Sequence, residues 1–167
     1  MDNTILFVDD DYHITDGLRR TFRKERYKIL CANSANEALN LLTDKKVDIV
    51  VSDEKMSGIS GSEFLSIVRQ KYPDTVRMIL SGQASLESTI RAINKGEIYR
   101  FFTKPCNIME LLETIRQALD QKKQEKENLR LLEQTSHQKA ALKAIEKKHP
   151  GITMVKRDKD GAVIIDD

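Results

Sequence analysis

The stretch Ile5-Leu6-Phe7-Val8-Asp9-Asp10-Asp11 joins four apolar residues directly to three carboxylates, and the architecture follows from that junction. Like charges a few ångströms apart repel by roughly 1 kcal/mol each in water, and by more where water is scarce. A hard divalent cation turns that repulsion into coordination. Taken alone, the same run also suits a helix start, where carboxylates accept from free backbone N–H groups and face the positive end of the helix dipole.

A second apolar strand ending in a carboxylate favours the cation. Val47-Asp48-Ile49-Val50-Val51-Ser52-Asp53 is a β-branched run of the length expected for a buried parallel strand, with Asp53 where strand gives way to loop. Val76-Arg77-Met78-Ile79-Leu80 ends in Ser81-Gly82, and Ile98-Tyr99-Arg100-Phe101-Phe102 ends in Thr103-Lys104-Pro105. Five segments of helical periodicity are interspersed. They carry Ile14, Leu18 and Phe22; Ala38, Leu39 and Leu42; Phe64, Leu65 and Val68; Ile90 and Ile93; and Ile108, Leu111, Leu112 and Ile115. Strands alternating with helices predict an α/β fold, a doubly wound parallel sheet covered on both faces. In such sheets ligands bind at the carboxyl ends of the strands. Asp9, Asp10, Asp53, Ser81 and Lys104 should therefore meet on one rim.

Three carboxylates, a hydroxyl and a lysine form a set suited to phosphoryl chemistry. A metal held by carboxylates neutralises charge and positions oxygens. One carboxylate can act as nucleophile and become an aspartyl phosphate, while lysine and hydroxyl bind the remaining phosphoryl oxygens. The sequence carries no glycine-rich P-loop, so no nucleotide is expected.

With these residues the sequence resembles the receiver domain of two-component response regulators over residues 1 to about 120. The resemblance implies a five-stranded, flavodoxin-like (CheY-like) (βα)5 topology. It implies that Asp9 and Asp10 are the acidic pair for Mg²⁺ and that Asp53 is the phosphoacceptor. The implied metal ligands are the Asp10 and Asp53 side chains and the backbone carbonyl of Lys55, with Asp9 acting mainly through water. Asp11 is left to cap the first helix. Ser81 matches the family's Thr/Ser position and Phe101 its aromatic switch, although Phe101 also suits an ordinary core aromatic. In the coupling the family implies, the hydroxyl moves toward the phosphoryl group and the ring turns into the space vacated. Lys104-Pro105 matches a Lys-Pro pair whose peptide bond is commonly cis in the family.

One departure is Met56-Ser57-Gly58, where the family usually reads Met-Pro-Gly. Losing proline frees a φ angle and predicts a somewhat more mobile loop. Lys55 and Gln83 occupy positions that in the family tune access of water to the acyl phosphate. The segment from Ile93 to Pro105 resembles receivers attached to hydrogenase regulators or cyclic-nucleotide phosphodiesterase domains.

The chain has 167 residues, 40% of them hydrophobic, and a net charge of +2, enough for one full core and no general case for nucleic acid. Two cysteines, Cys31 and Cys106, are not expected to pair. No apolar leader or long apolar run is present, so a cytoplasmic protein with no membrane association is expected.

Beyond the receiver, periodicity runs unbroken by Gly or Pro through Leu129, Leu132, Leu142 and Ile145, which predicts one long helix over 121–149. Ile108, Leu111, Ile115, Ala118, Leu129 and Leu132 fit a heptad seam, but Lys122 and Glu125 interrupt it and the register slips before Leu142. Either a weak coiled coil or a solvated helix packed on its own receiver satisfies that pattern. Residues 121–149 hold eight Lys/Arg against four Glu, yet no second helix is offered to hold a DNA-reading helix in a groove. Residues 150–167 read as a short β-hairpin around Asp160-Gly161, with a frayed tail as the alternative.

The expected function is that of a response regulator lacking a conventional output domain, since 167 residues are expected to leave room for none. A sensor histidine kinase would phosphorylate Asp53, and the change would alter contacts with a downstream partner or within a homodimer. Two alternatives are an intermediate phosphocarrier in a phosphorelay and an idle receiver serving as a structural dimerisation module. No turnover of a small molecule is expected beyond phosphorylation and slow hydrolysis at Asp53 itself.

Overall fold

The computed structural model describes residues 3–82 and 98–150. The chain divides into two units, Met1–Gln121 and Lys122–Asp167. The first holds five parallel strands, β1 Asn3–Val8, β2 Tyr27–Ala32, β3 Ile49–Asp53, β4 Val76–Ser81 and β5 Arg100–Thr103, in the order β2-β1-β3-β4-β5. Helices α1 Tyr12–Phe22, α2 Ala35–Asp44 and α3 Gly61–Lys71 follow β1, β2 and β3 in turn, and α4 Ile108–Lys148 follows β5. The expected segment around Ile90 and Ile93, residue Gln83 and the expected hairpin lie outside the described residues.

Period-two alternation distributes the strands between two cores. Ile5 and Phe7 of β1 join Leu18 and Phe22 of α1 and Leu111 and Ile115 of α4 on one face. Leu6 and Val8 face the opposite way, with Ala38 and Leu42 of α2 and Phe64 and Leu65 of α3. The Phe7 and Phe22 rings pack at 5.2 Å between centroids with planes tilted by 56°. β3 is buried along its whole length, as a central strand covered on both faces must be. β2, an edge strand, was not singled out by its pattern, because its residues are mostly half-buried and Lys28 interrupts the run.

Local chemistry fixes the helix starts. Asp11 caps α1 by accepting from the His13 N–H at 2.8 Å, which places Thr15, Leu18 and Phe22 inward. Ile14, expected on the buried stripe, is exposed; Thr15 takes the inward position and donates its hydroxyl to the Tyr12 carbonyl at 3.0 Å. Ser60 and Glu63 form a reciprocal capping box at the start of α3. α4 is continuous to Lys148, as expected; its buried residues run from Leu111 to Leu119, whereas Leu129, Leu131, Leu132, Leu142 and Ile145 are exposed.

Candidate functional site

β1, β3, β4 and β5 are parallel neighbours, so their carboxyl ends share one edge. Asp9 follows the last residue of β1, Asp53 and Ser81 are the last residues of β3 and β4, and Lys104 follows the last residue of β5. Register places Asp53 opposite Leu80 and Ser81 opposite Thr103, and the Lys104 N–H donates to the Ser81 carbonyl at 2.8 Å. The Lys104-Pro105 peptide bond is cis.

The Lys104 ammonium bridges two carboxylates, with Nζ 2.7 Å from Asp9 Oδ2 and 2.9 Å from Asp53 Oδ1. Asp9 and Asp53 are only 4% and 6% exposed, so the bridge compensates charges that water reaches poorly. Burial opposes the lysine's charge, but hydrogen bonds and attraction from Asp9 and Asp53 outweigh it and hold Lys104 above its ordinary value. The other Asp9 oxygen, Oδ1, accepts from the Asp11 N–H at 2.9 Å.

Asp10 is exposed, and its Oδ2 accepts from the Ser57 N–H at 3.0 Å and from Ser57 Oγ at 2.9 Å. One carboxylate oxygen from each of Asp9, Asp10 and Asp53 lies within 4.8 Å of the others. Three carboxylates less one ammonium leave a formal charge of −2, and the donors are all hard oxygens. This donor set could hold a divalent cation of the Mg²⁺ type after modest contraction, because such ions bind oxygen at about 2.1 Å.

The loop after Asp53 is built to keep that carboxylate at the edge. The Glu54 N–H donates to the Leu80 carbonyl at 3.0 Å, and Gly61 returns to donate its N–H to the Glu54 carbonyl at 3.0 Å. Gly61 packs so closely that a Cβ there would collide with the Asp53 carbonyl oxygen and lie 2.9 Å from its carbon. The Glu54 carboxylate accepts from the Ser62 N–H at 3.0 Å and from Ser62 Oγ at 2.8 Å. Gly58, with φ of +94°, makes the reversal that L side chains resist.

Two contributors escaped the sequence reading. Asn33, at the end of β2, donates Nδ2 to the Asp9 carbonyl at 3.1 Å and to Thr15 Oγ1 at 3.3 Å, tying the β1–α1 turn to the sheet edge. Ser57 had been weighed only for the proline it replaces, yet it supplies two donors that proline lacks. Phe101 on β5 is half-buried against the core on the α2–α3 face, opposite Ile79. Lys55 is exposed on the loop between Asp53 and Ser57.

A sequence profile of the response regulator receiver domain matches residues 5–116. The hydrogenase transcriptional regulatory protein HoxA of Cupriavidus necator is 38% identical over 117 residues, 70% of this chain and 24% of HoxA. The transcriptional regulatory protein YvrH of Bacillus subtilis is 37% identical over 125 residues, 74% of this chain and 52% of YvrH. The chain thus spans about a quarter of the first and half of the second. Among solved structures, the signal receiver domain of an HD domain-containing protein from Pseudomonas fluorescens matches with a TM-score of 0.71 at 35% identity, covering 74% of this chain and 99% of that one. A CheY-like receiver domain protein from Methanospirillum hungatei matches with a TM-score of 0.71 at 30% identity, covering 75% and 99%. With strand order, edge residues and profile in agreement, this chain belongs to the response regulator receiver domain family of two-component signalling.

Proposed function

We propose that residues 1–120 form a Mg²⁺-dependent phosphoryl switch in which Asp53 is the phosphoacceptor and a sensor histidine kinase the donor. The observation that carries this reading is the Lys104 bridge between Asp9 and Asp53, with Asp10 beside it on the same edge. A carboxylate oxygen of Asp53 attacks phosphorus; a new O–P bond forms as the P–N bond of the donor phosphohistidine breaks, and its electron pair stays on the imidazole nitrogen. Lys104, kept protonated, then turns its ammonium from the bare carboxylate toward the phosphoryl oxygens, and the Ser81 hydroxyl donates to another.

The residues suited to hold Mg²⁺ are Asp10, Asp53 and the Lys55 carbonyl, with Asp9 acting through water. A bound Mg²⁺ would supply charge neutralisation at the phosphoryl oxygens. Recruitment of Ser81 vacates space beside Phe101, and the ring, lacking a hydroxyl, turns inward without losing a hydrogen bond to solvent. The changed face alters contacts with a downstream protein or a second copy of the chain. Residues 121–148 extend the last receiver helix. We place the protein in the cytoplasm; among the described residues no helix is long and apolar enough to cross a membrane.

The test is intact mass and light scattering in Mg²⁺ with and without acetyl phosphate, for the wild type and Asp53→Ala. The expected result is one added phosphoryl group, dependent on Mg²⁺ and lost in the variant. An unmodified wild type would overturn the reading. Modification without a change in assembly would assign the output to another protein.

A further inference from the structure

Ser57 directs two donors at one acceptor: its N–H lies 3.0 Å and its Oγ 2.9 Å from Asp10 Oδ2. Of the three edge carboxylates, Asp9 and Asp53 are buried and bridged by Lys104, whereas Asp10 is exposed. An exposed aspartate with no such partner exchanges rotamers in water, and a cation that takes it must first freeze that motion. Held as it is, Asp10 keeps an oxygen within 4.8 Å of an oxygen on each of its two neighbours.

We propose that Ser57 is the positioning residue for Asp10, fixing its Oδ2 so that the carboxylate faces the cation site before any cation arrives. The inference rests on the metal-site reading above and deepens it. The same contact joins the β1–α1 turn to the β3–α3 loop, and that loop carries Lys55, whose carbonyl is assigned as a further ligand. One residue thereby links the turn that carries Asp10 to the loop that carries Lys55. Gly58, directly after Ser57, has φ of +94°, a conformation that L side chains rarely adopt.

The opposing effect is that two donors draw charge from Oδ2 and weaken its pull on a cation. Orientation outweighs this in most metal sites, where removing an outer hydrogen-bond partner of a ligand costs about 10–100-fold in affinity. Proline at position 57 would delete both donors, alanine only the hydroxyl, and threonine neither.

The experiment is a Mg²⁺ titration of the full chain followed by NMR amide shifts, on the wild type, Ser57→Pro, Ser57→Ala, Ser57→Thr and Asp10→Asn. The expected order of affinity is wild type close to Ser57→Thr, then Ser57→Ala, then Ser57→Pro, the last weaker by about tenfold or more. The metal-free thermal midpoint should stay near that of the wild type, which separates positioning from general damage. If Ser57→Ala and Ser57→Pro bind as tightly as the wild type while Asp10→Asn does not, the positioning role is overturned and the metal site stands. If Asp10→Asn binds like the wild type, the metal-site reading falls and takes this inference with it. Should Ser57→Pro fail to fold, Ser57→Ala against Ser57→Thr decides.

Discussion

Replacing Lys104 by methionine keeps most of the stem's bulk and removes the charge that lies 2.7 Å from Asp9 Oδ2 and 2.9 Å from Asp53 Oδ1. What remains is two carboxylates, 4% and 6% exposed, with oxygens no more than 4.8 Å apart. At that separation their repulsion is about 3.5 kcal/mol for an effective dielectric near 20, and about 0.9 kcal/mol at the dielectric of water. The edge is partly open, since the Lys104 side chain is itself 27% exposed, so a destabilisation of about 2 kcal/mol is expected in EDTA at neutral pH. In a chain of 167 residues that lowers the thermal midpoint by about 6 °C. The assay is differential scanning calorimetry of both proteins with EDTA and across a Mg²⁺ series. A divalent ion replaces the missing charge, so Mg²⁺ should stabilise the variant more than the wild type and narrow the gap. A gap that Mg²⁺ leaves unchanged would refute the reasoning, because the damage would then lie in packing rather than in uncompensated charge.

Three further outcomes follow from the geometry. Because Lys104 is held above its ordinary value of 10.5, the stabilisation from its bridge is fully present below that pH and is lost as pH rises through the higher folded value; alkaline titration of Lys104→Met should lack this loss. Gly61→Ala drives a methyl into the Asp53 backbone and should cost about 1–3 kcal/mol in urea denaturation, with wild-type stability counting against the close approach. Leu111→Ala and Leu132→Ala lie on the same helix, but the first side chain is buried and the second is 68% exposed. The first should cost about 2–5 kcal/mol and the second less than about 0.5 kcal/mol by calorimetry.

Acid should act on α3 through Glu63, whose carboxylate is held below its ordinary value of 4.5 by the Ser60 N–H and hydroxyl. A depressed value means the contribution is present above 4.5 and is lost as pH falls through the folded value. Glu63→Gln should flatten that part of the acid unfolding curve, and an unchanged curve would count against the capping box as its source.

The strands that carry the edge residues were readable because each is an apolar run stopped by polar residues: Val8 before Asp9, Val51 before Ser52 and Asp53, Leu80 before Ser81. β2 was not, since an edge strand half-open to solvent carries Lys28 among its apolar residues and lacks a clean period. Ile14 was misplaced because the stripe of α1 is set by the Asp11 cap, which turns Thr15 inward instead. A threonine can occupy that position only because the Tyr12 carbonyl and Asn33 satisfy its hydroxyl. Asn33 and Ser57 were illegible as site residues for a related reason. Each acts through a contact between loops 24 and 47 residues apart in sequence, and no periodicity or local motif encodes such a pairing.

Borohydride reduction after phosphodonor treatment tests the central claim most directly, since it converts an aspartyl phosphate to homoserine and marks the residue that carried it. The account predicts Mg²⁺-dependent conversion at residue 53 and nowhere else in the peptide map. Conversion at Asp9 or Asp10, or none under conditions that fully load a receiver of proven activity, would contradict it.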